Sequence, residues 1–449
     1  MSAELFRSTF DGGHRPPLQL SRMIVRARIV VTMDEAPIEN GAVAVSGNRI
    51  IDVGRFDDIR TRNAGKTLDV GEQVLLPGLI NAHCHLDYTC LRGKIPPQKS
   101  FTDWIRAINA EKSKLSPEDY VASITQGFVE AKKFGTTAIA NLTAYPELIP
   151  KIEPPIRTWW FAELIDVRAP VDLECADMSA SAIGRIRRGE LLKRSRSRGI
   201  AAAQNWGLAP HALFTASKDL FRRCEEIGER ENILLTTHLA ESCEEMKMFR
   251  DASGRLYEFL KSIGRPMNDC GSKTPLERFL DLIGSGGSPN RPRTIEVNRP
   301  YPFWIVAHLN ELTESDFDLL EHTNSKFHIV HCPRSRNYFG HSPFAFDRLR
   351  SLGFNICLGT DSLASNQSLS LFDEMRGFQK QFPGTSPDEV LRMVTVNPAR
   401  ALRQENALGR IIQGAHADLL AASLSGDDVL EEIIAFTGEP WMMISGKVQ

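Results

Sequence analysis

The stretch "LLPGLINAHCHLDYT", Leu75 to Thr89, ends an apolar run on His83-Cys84-His85. Side chains alternate along a β-strand, so His83 and His85 share one face and Cys84 takes the other. Two imidazoles side by side at a strand end are half of a metal site. Taken alone, such a pair is more often coincidence or two satisfied polar groups, so the reading depends on what the rest of the chain brings to the same place.

Seven further apolar runs follow, at "GTTAIANL" (135), "RTWWFAELID" (157), "NWGLAPHALF" (205), "ILLTTHLAES" (233), "FWIVAHLNEL" (303), "FHIVHCPRS" (327) and "FNICLGTDS" (354). Helical stretches such as "SPEDYVASITQGFVEAKKFG" lie between them, which argues for repeated βα units and a parallel sheet. Eight units predict an α/β protein built on a closed (β/α)₈ TIM barrel.

The two ends read differently. From Met23, β-branched runs are broken by Asn-Gly and Gly-Asn turn signals, and "GRIIQGAHADLLAAS" and "WMMISGKVQ" near the other end share that character. The expected organisation is an irregular arm over 1–22, a small β-sandwich from 23–76 plus 408–449, and the barrel over 77–407. A long connection between Cys243 and Pro302 is placed to cover the barrel mouth. The basic run "RIRRGELLKRSRSRG" (185–199) reads as a solvated helix face.

With 449 residues, 42% hydrophobic, the chain can bury a barrel-sized core. A formal charge of −2 gives no electrostatic reason to expect nucleic acid or an anionic membrane as partner. Eight cysteines lack close CxxC pairs and the start lacks a signal-peptide core, so a cytoplasmic home is expected. A small-molecule substrate and a homo-oligomer, dimer or larger, complete the expectation.

The candidate strands end in groups that bind metals or move protons: His83 and His85, then His211, His238 with Glu241 beyond it, His308, His331 and Asp361. Barrel strands deliver their C-terminal ends to one face, so six of the eleven histidines converge there. His83, His85, His238 and Asp361 are assigned as ligands of one divalent metal ion, zinc with ferrous iron as the alternative. Asp361 can also take a proton from the metal's water, Glu241 can shuttle one to substrate, and His308 can orient the attacking hydroxide. His328 reads as a core histidine, His331 is left open, and His14, His322 and His416 receive no role.

The ordered set "PGLINAHCHL", "GLAPHALFT", "THLAES", "VAHLNEL", "VHCPRS", "LGTDSLASN" and "GAHADLL" resembles the amidohydrolase superfamily, in its cytosine deaminase and chlorohydrolase-like branch. That resemblance implies the same metal ligands and the same roles for Glu241 and His308, and a substrate contact for His211. Relatives with two metals usually carry a bridging lysine on the fourth strand; "NWGLAPHALF" has none, which implies one metal. Stretches such as "SFTDWI" and "GTDSLASNQSLSLFDEM" resemble aminodeoxyfutalosine deaminases more than S-adenosylhomocysteine and methylthioadenosine deaminases.

The expected activity is hydrolytic deamination of an adenine-type nucleoside or related aminated heterocycle. Chlorohydrolase-type removal of another leaving group is the alternative, and a non-catalytic scaffold a more distant one. One departure from the pattern is Arg336, where the usual "HCPxSN" has its Asn. Arg92, Arg334 and Arg336 are candidates for a substrate carboxylate, and Trp104 for covering a base ring.

Overall fold

The computed structural model describes residues 22–167, 205–284, 304–323, 327–424, 426 and 428–449. The basic run 185–199, residues 285–302 of the long connection and all but the last residue of the arm lie outside these.

Apart from the seam where the barrel closes, two eight-stranded sheets account for the strands. The first five strands are β1 (Arg22–Val30), β2 (Ile38–Ser46), β3 (Arg49–Arg55), β4 (Lys66–Asp69) and β5 (Gln73–Pro77). After the barrel come β14 (Leu419–Ser423), β15 (Trp441–Ile444) and β16 (Lys447–Val448), and these join β5 and β1 to β3 in the order β16-β15-β14-β5-β1-β2-β3, with β4 beside β1. The sheet is mixed: β1 runs parallel to β4 and β5, and the other pairs are antiparallel. Val25, Val43, Leu75, Leu419 and Met443 pack together on one side, while the helix Phe56–Arg62 covers Ile24, Ala42 and Ala44 on the other through Ile59.

The second sheet holds β6 (Leu79–Cys84), β7 (Thr136–Thr143), β8 (Arg157–Leu164), β9 (Trp206–Pro210), β10 (Leu234–Leu239), β11 (Trp304–His308), β12 (His328–His331) and β13 (Asn355–Leu358). Neighbours are consecutive and parallel, one for each apolar run of the sequence. Closure comes from the amides of Thr360 and Asp361, both 3.1 Å from the carbonyl oxygen of His83, and a parallel bridge between Cys84 and Asp361. Ile80, Ala82, Ala138, Phe161, Ala209, Ile305 and Val330 fill the barrel, and the opposite faces of the strands pack against helices such as Pro117–Lys133 and Leu371–Gln381.

The single apolar run from Val74 to His85 is divided between the sheets at Gly78, the one residue between β5 and β6. A Cβ there would lie 2.1 Å from Thr137 Oγ1, so only glycine lets the chain cross this close. Arg157 pins the two sheets together: its Nε is 2.6 Å from Asp418 Oδ2 and its Nη2 donates to Ser445 Oγ at 2.8 Å. In the connection after β10, the helices Cys243–Asp251, Arg255–Ser262 and Pro275–Gly284 pack on the barrel through Met248, Leu256, Leu276 and Phe279. No described helix is long and apolar enough to cross a membrane.

Candidate active site

Strand alternation places most of the expected groups. On β8, Trp159 and Phe161 face the barrel interior, so Glu163 does too. The same parity carries Ala209 to His211 on β9 and Leu234 to His238 on β10. Two positions need more than parity. Ile80 and Ala82 of β6 face inward, and a register shift between Asn81 and Cys84 then brings His83 and His85 to the inner face while Cys84 packs outside. On β11, Ile305 faces inward, and parity would turn His308 outward; its left-handed backbone (φ +77°) swings the ring back over the mouth. Asp361 (φ +55°) and Ala240 (φ +49°), beside Glu241, are left-handed as well.

His331 does not join them. Its strand presents Val330 to the interior, and the imidazole stacks on Phe344 at 4.1 Å between ring centroids and meets Phe378 edge-on. Burial pushes its pKa down to about 3. His328 is hydrogen-bonded to Asn355 at 2.9 Å at the start of the same strand.

The four expected ligands converge. His85 Nε2 and His238 Nε2 are 3.1 Å apart, and Asp361 Oδ1 is 3.9 Å from Nε2 of both His83 and His85. Ligand atoms about 2.0–2.1 Å from a tetrahedral zinc stand roughly 3.4 Å from one another, so these separations bracket what one ion requires. Each group is turned for the purpose. His238 Nδ1 is 2.7 Å from the carbonyl oxygen of His211, which leaves Nε2 with its lone pair facing the cluster. Asp361 Oδ2 accepts from Ser335 Oγ at 2.5 Å and from Ser365 Oγ at 3.2 Å, directing Oδ1 inward. His83 Nε2 is buried without a partner, as a nitrogen awaiting an ion would be. Burial, together with neighbouring imidazoles, holds His83, His85, His211 and His308 well below the usual histidine range, so all four are neutral ligands or hydrogen-bonding groups near pH 7. The residues fit a divalent cation.

Glu241 sits beside this cluster, in one group with His308 and Asp361. Its backbone is fixed by Glu245 Oε2, which accepts from the Glu241 amide at 2.8 Å, and by Asn310, which donates to the Glu241 carbonyl at 3.1 Å. The carboxyl itself has Oε1 3.8 Å from His308 Nε2 and 4.0 Å from His341 Nε2. Burial, followed by the charges of Asp361 and Glu245, pushes its pKa well above the usual carboxyl range, so it can hold a proton at neutral pH.

His341 and Glu163 were not among the expected residues. His341 follows the left-handed Gly340 that ends the helix Pro333–Phe339, and loops carry no periodicity to announce such a side chain. Glu163 was legible by parity alone.

A cavity of about 200 Å³ is lined by Phe101, Trp104, Ser242, Glu311, Phe339 and His341 among others; of these, Ser242 follows Glu241 in the chain and His341 Nε2 is 4.0 Å from its Oε1. Trp104 stacks on Phe101 at 6.0 Å and stands edge-on to Phe339 at 4.9 Å, so it belongs to the aromatic wall. His211 Nδ1 is 2.6 Å from Thr215 Oγ1, with Nε2 directed toward Glu163. The structure does not bring Arg92 and Arg334 to the cluster: Arg92 is paired with Glu130, and Arg334 Nη1 donates to Asp373 at 3.1 Å. Arg336 donates to the carbonyl of Ser342 at 2.9 Å and to Asn337 Oδ1 at 2.8 Å, bracing the loop that carries His341.

Comparison with known proteins agrees with this geometry. The family model for the amidohydrolase family matches residues 74–447. A 5-methylthioadenosine/S-adenosylhomocysteine deaminase of Pyrococcus furiosus is 27% identical over 412 residues, covering 90% of this chain and 86% of that one. Among solved structures, the Helicobacter pylori aminofutalosine deaminase in complex with methylthio-coformycin superposes with a TM-score of 0.78 at 20% identity, covering 95% of this chain and 100% of that one. A Xanthomonas campestris adenosine deaminase with bound zinc gives 0.75 at 24% identity, covering 95% and 92%. At these identities the structural likeness speaks for the fold.

Proposed function

Because the chain belongs to the amidohydrolase family, we propose that it is a metal-dependent aminohydrolase that removes the amino group of an adenine-type nucleoside or related aminated heterocycle. The observation that carries this reading is Glu241: a buried, backbone-anchored carboxyl whose pKa burial raises, beside four convergent groups able to ligate a metal and next in sequence to Ser242, which lines an aromatic-walled cavity. Similarity to 5-methylthioadenosine/S-adenosylhomocysteine deaminases supports the adenine class.

His83, His85, His238 and Asp361 would hold the ion, zinc with ferrous iron as the alternative, and it would supply hydroxide at neutral pH by lowering the pKa of a bound water. Hydrolysis adds hydroxide to the amino-bearing ring carbon and a proton to the adjacent ring nitrogen. Glu241 gives that proton, and Asp361 accepts the one released by water. His308, neutral and against the cluster, orients the attacking oxygen. The ionised Glu241 then takes the hydroxyl proton and passes it to the amino nitrogen, so that ammonia leaves as the ring carbonyl forms, and the proton held by Asp361 returns to Glu241. His211 contacts the substrate at one rim and Trp104 covers its ring from the aromatic wall. We assign Arg336 to bracing the loop that carries His341. Seven free cysteines among the described residues support a reducing compartment, the cytoplasm, and the working assembly is proposed to be a homo-oligomer.

The test is ammonia release by metal-replete protein offered adenosine, methylthioadenosine, S-adenosylhomocysteine and aminodeoxyfutalosine, with chloride release from a chlorotriazine measured alongside. Rapid deamination of one nucleoside is expected. Chloride without ammonia would replace the reading with the halide-releasing one.

A further inference from the structure

We propose that Glu163 is a positioning residue for the metal centre: its carboxylate accepts the Nδ1 proton of His85 and so commits that ring to present Nε2 to the ion. The inference rests on the metal-dependent reading above.

Glu163 is the penultimate residue of β8, with its side chain 4% exposed, and its Oε1 is buried with no hydrogen-bond partner. An unpaired buried carboxylate oxygen is costly and calls for a purpose. That oxygen is 3.8 Å from His85 Nδ1, on the side of the ring away from Nε2, and 4.0 Å from His211 Nε2. The separation exceeds a hydrogen bond by roughly 1 Å, the kind of gap that closes when a site is filled. Ligating histidines nearly always donate their second ring N–H to an acceptor. His238 already does so through the His211 carbonyl at 2.7 Å; Glu163 is the carboxylate that faces the equivalent nitrogen of His85.

Glu163, His211 and His238 also lie close enough together to suggest a second ion. The nitrogens of His238 argue against it. Its Nδ1 is committed to a carbonyl and its Nε2 lies 3.1 Å from His85 Nε2, on the side of the first ion. An imidazole nitrogen has one lone pair, so none is left for a second metal.

The experiment measures Zn²⁺ affinity and stoichiometry by chelator competition on metal-stripped full-length protein, comparing wild type with Glu163→Gln and Glu163→Leu, and records the melting temperature of each apo-protein. One ion per chain is expected in wild type, with affinity roughly 10- to 100-fold weaker in Glu163→Leu and largely restored in Glu163→Gln, whose amide oxygen still accepts. If the leucine variant does not fold, Glu163→Asp withdraws the carboxylate by one methylene and should weaken affinity likewise. Unchanged zinc affinity with a raised KM would overturn the proposal and make Glu163 a substrate contact. Two ions in wild type and one in the variant would make it a ligand, also overturning it. A wild-type chain that binds no metal would overturn the metal-dependent reading itself, an outcome separate from either.

Discussion

Replacing Glu241 by glutamine removes a proton donor and little else. The side chain makes no direct hydrogen bond; its nearest polar neighbours are His308 and His341, 3.8 and 4.0 Å from Oε1, and the residue is held in place through its backbone by Glu245 and Asn310. An amide of the same shape therefore costs no contact and relieves a buried ionisable group, so apo stability should hold or rise slightly. Proton transfer by a positioned side chain is worth about 10²–10⁴-fold. Here one carboxyl serves both addition and departure, which puts the expected loss near 10⁴ in kcat, or about 5 kcal/mol of barrier at 1.4 kcal/mol per tenfold. The assay is ammonia release under saturating substrate, with metal content of the same sample measured by mass spectrometry and substrate affinity by calorimetry. The reasoning predicts full metal occupancy, near-normal binding and turnover lost. A metal-replete Glu241→Gln protein turning over within a few-fold of wild type would refute it.

Three further substitutions probe the framework. Gly359→Ala would put a Cβ 2.7 Å from the His83 carbonyl oxygen and 2.9 Å from His83 Cβ, so zinc affinity and activity should fall together while the rest of the fold survives; a titration of the apo-protein would show it. Arg157→Ala would strand Asp418, 4% exposed, without its cation, and a loss of about 3–5 kcal/mol in denaturant unfolding is expected; a change below about 1 kcal/mol would mean the pair does not bind the two sheets. Glu374, fully buried, has its pKa raised by burial to about 8, so it stabilises the fold below the unfolded carboxyl range and that contribution is lost as pH climbs toward 8. Between about pH 4.5 and 8 the slope is at most about 1.4 kcal/mol per pH unit, and Glu374→Gln should flatten it in melts at pH 5.5 and 8.

The barrel was legible because each of its strands is a compact apolar run, and the convergence of the four candidate ligands because strand ends share a rim. Residue parity explains the rest. Applied to "RTWWFAELID" it would have put Glu163 inside with Phe161, and applied to "FHIVH" it would have sent His331 out against Phe344. The same rule fails for His83 and for His308, because the register shift in β6 and the left-handed backbone at His308 are conformations that no alternation pattern announces. The division of the 74–85 run at Gly78 was hidden for a similar reason: both halves are apolar, and the crossing is set by how near Thr137 lies. The partners of Arg92 and Arg334 were hidden in another way, since the sequence supplies the cation and not the carboxylate, Glu130 or Asp373, that pairs with it.

The carbonyl of His83 closes the barrel by accepting from Thr360 and Asp361, and the neighbouring Asn81 bonds to Thr360 across 279 residues of chain. The oldest and youngest strands of the barrel are thus joined at the peptide of His83, the first of the candidate ligands. During synthesis His83 and His85 emerge early, yet Asp361, the carboxylate that faces them, is made only when the barrel is almost finished. A chain stopped between residues 239 and 360 has the three histidines and an open edge, so the four candidate ligands are all present only once the last strand of the barrel has been made.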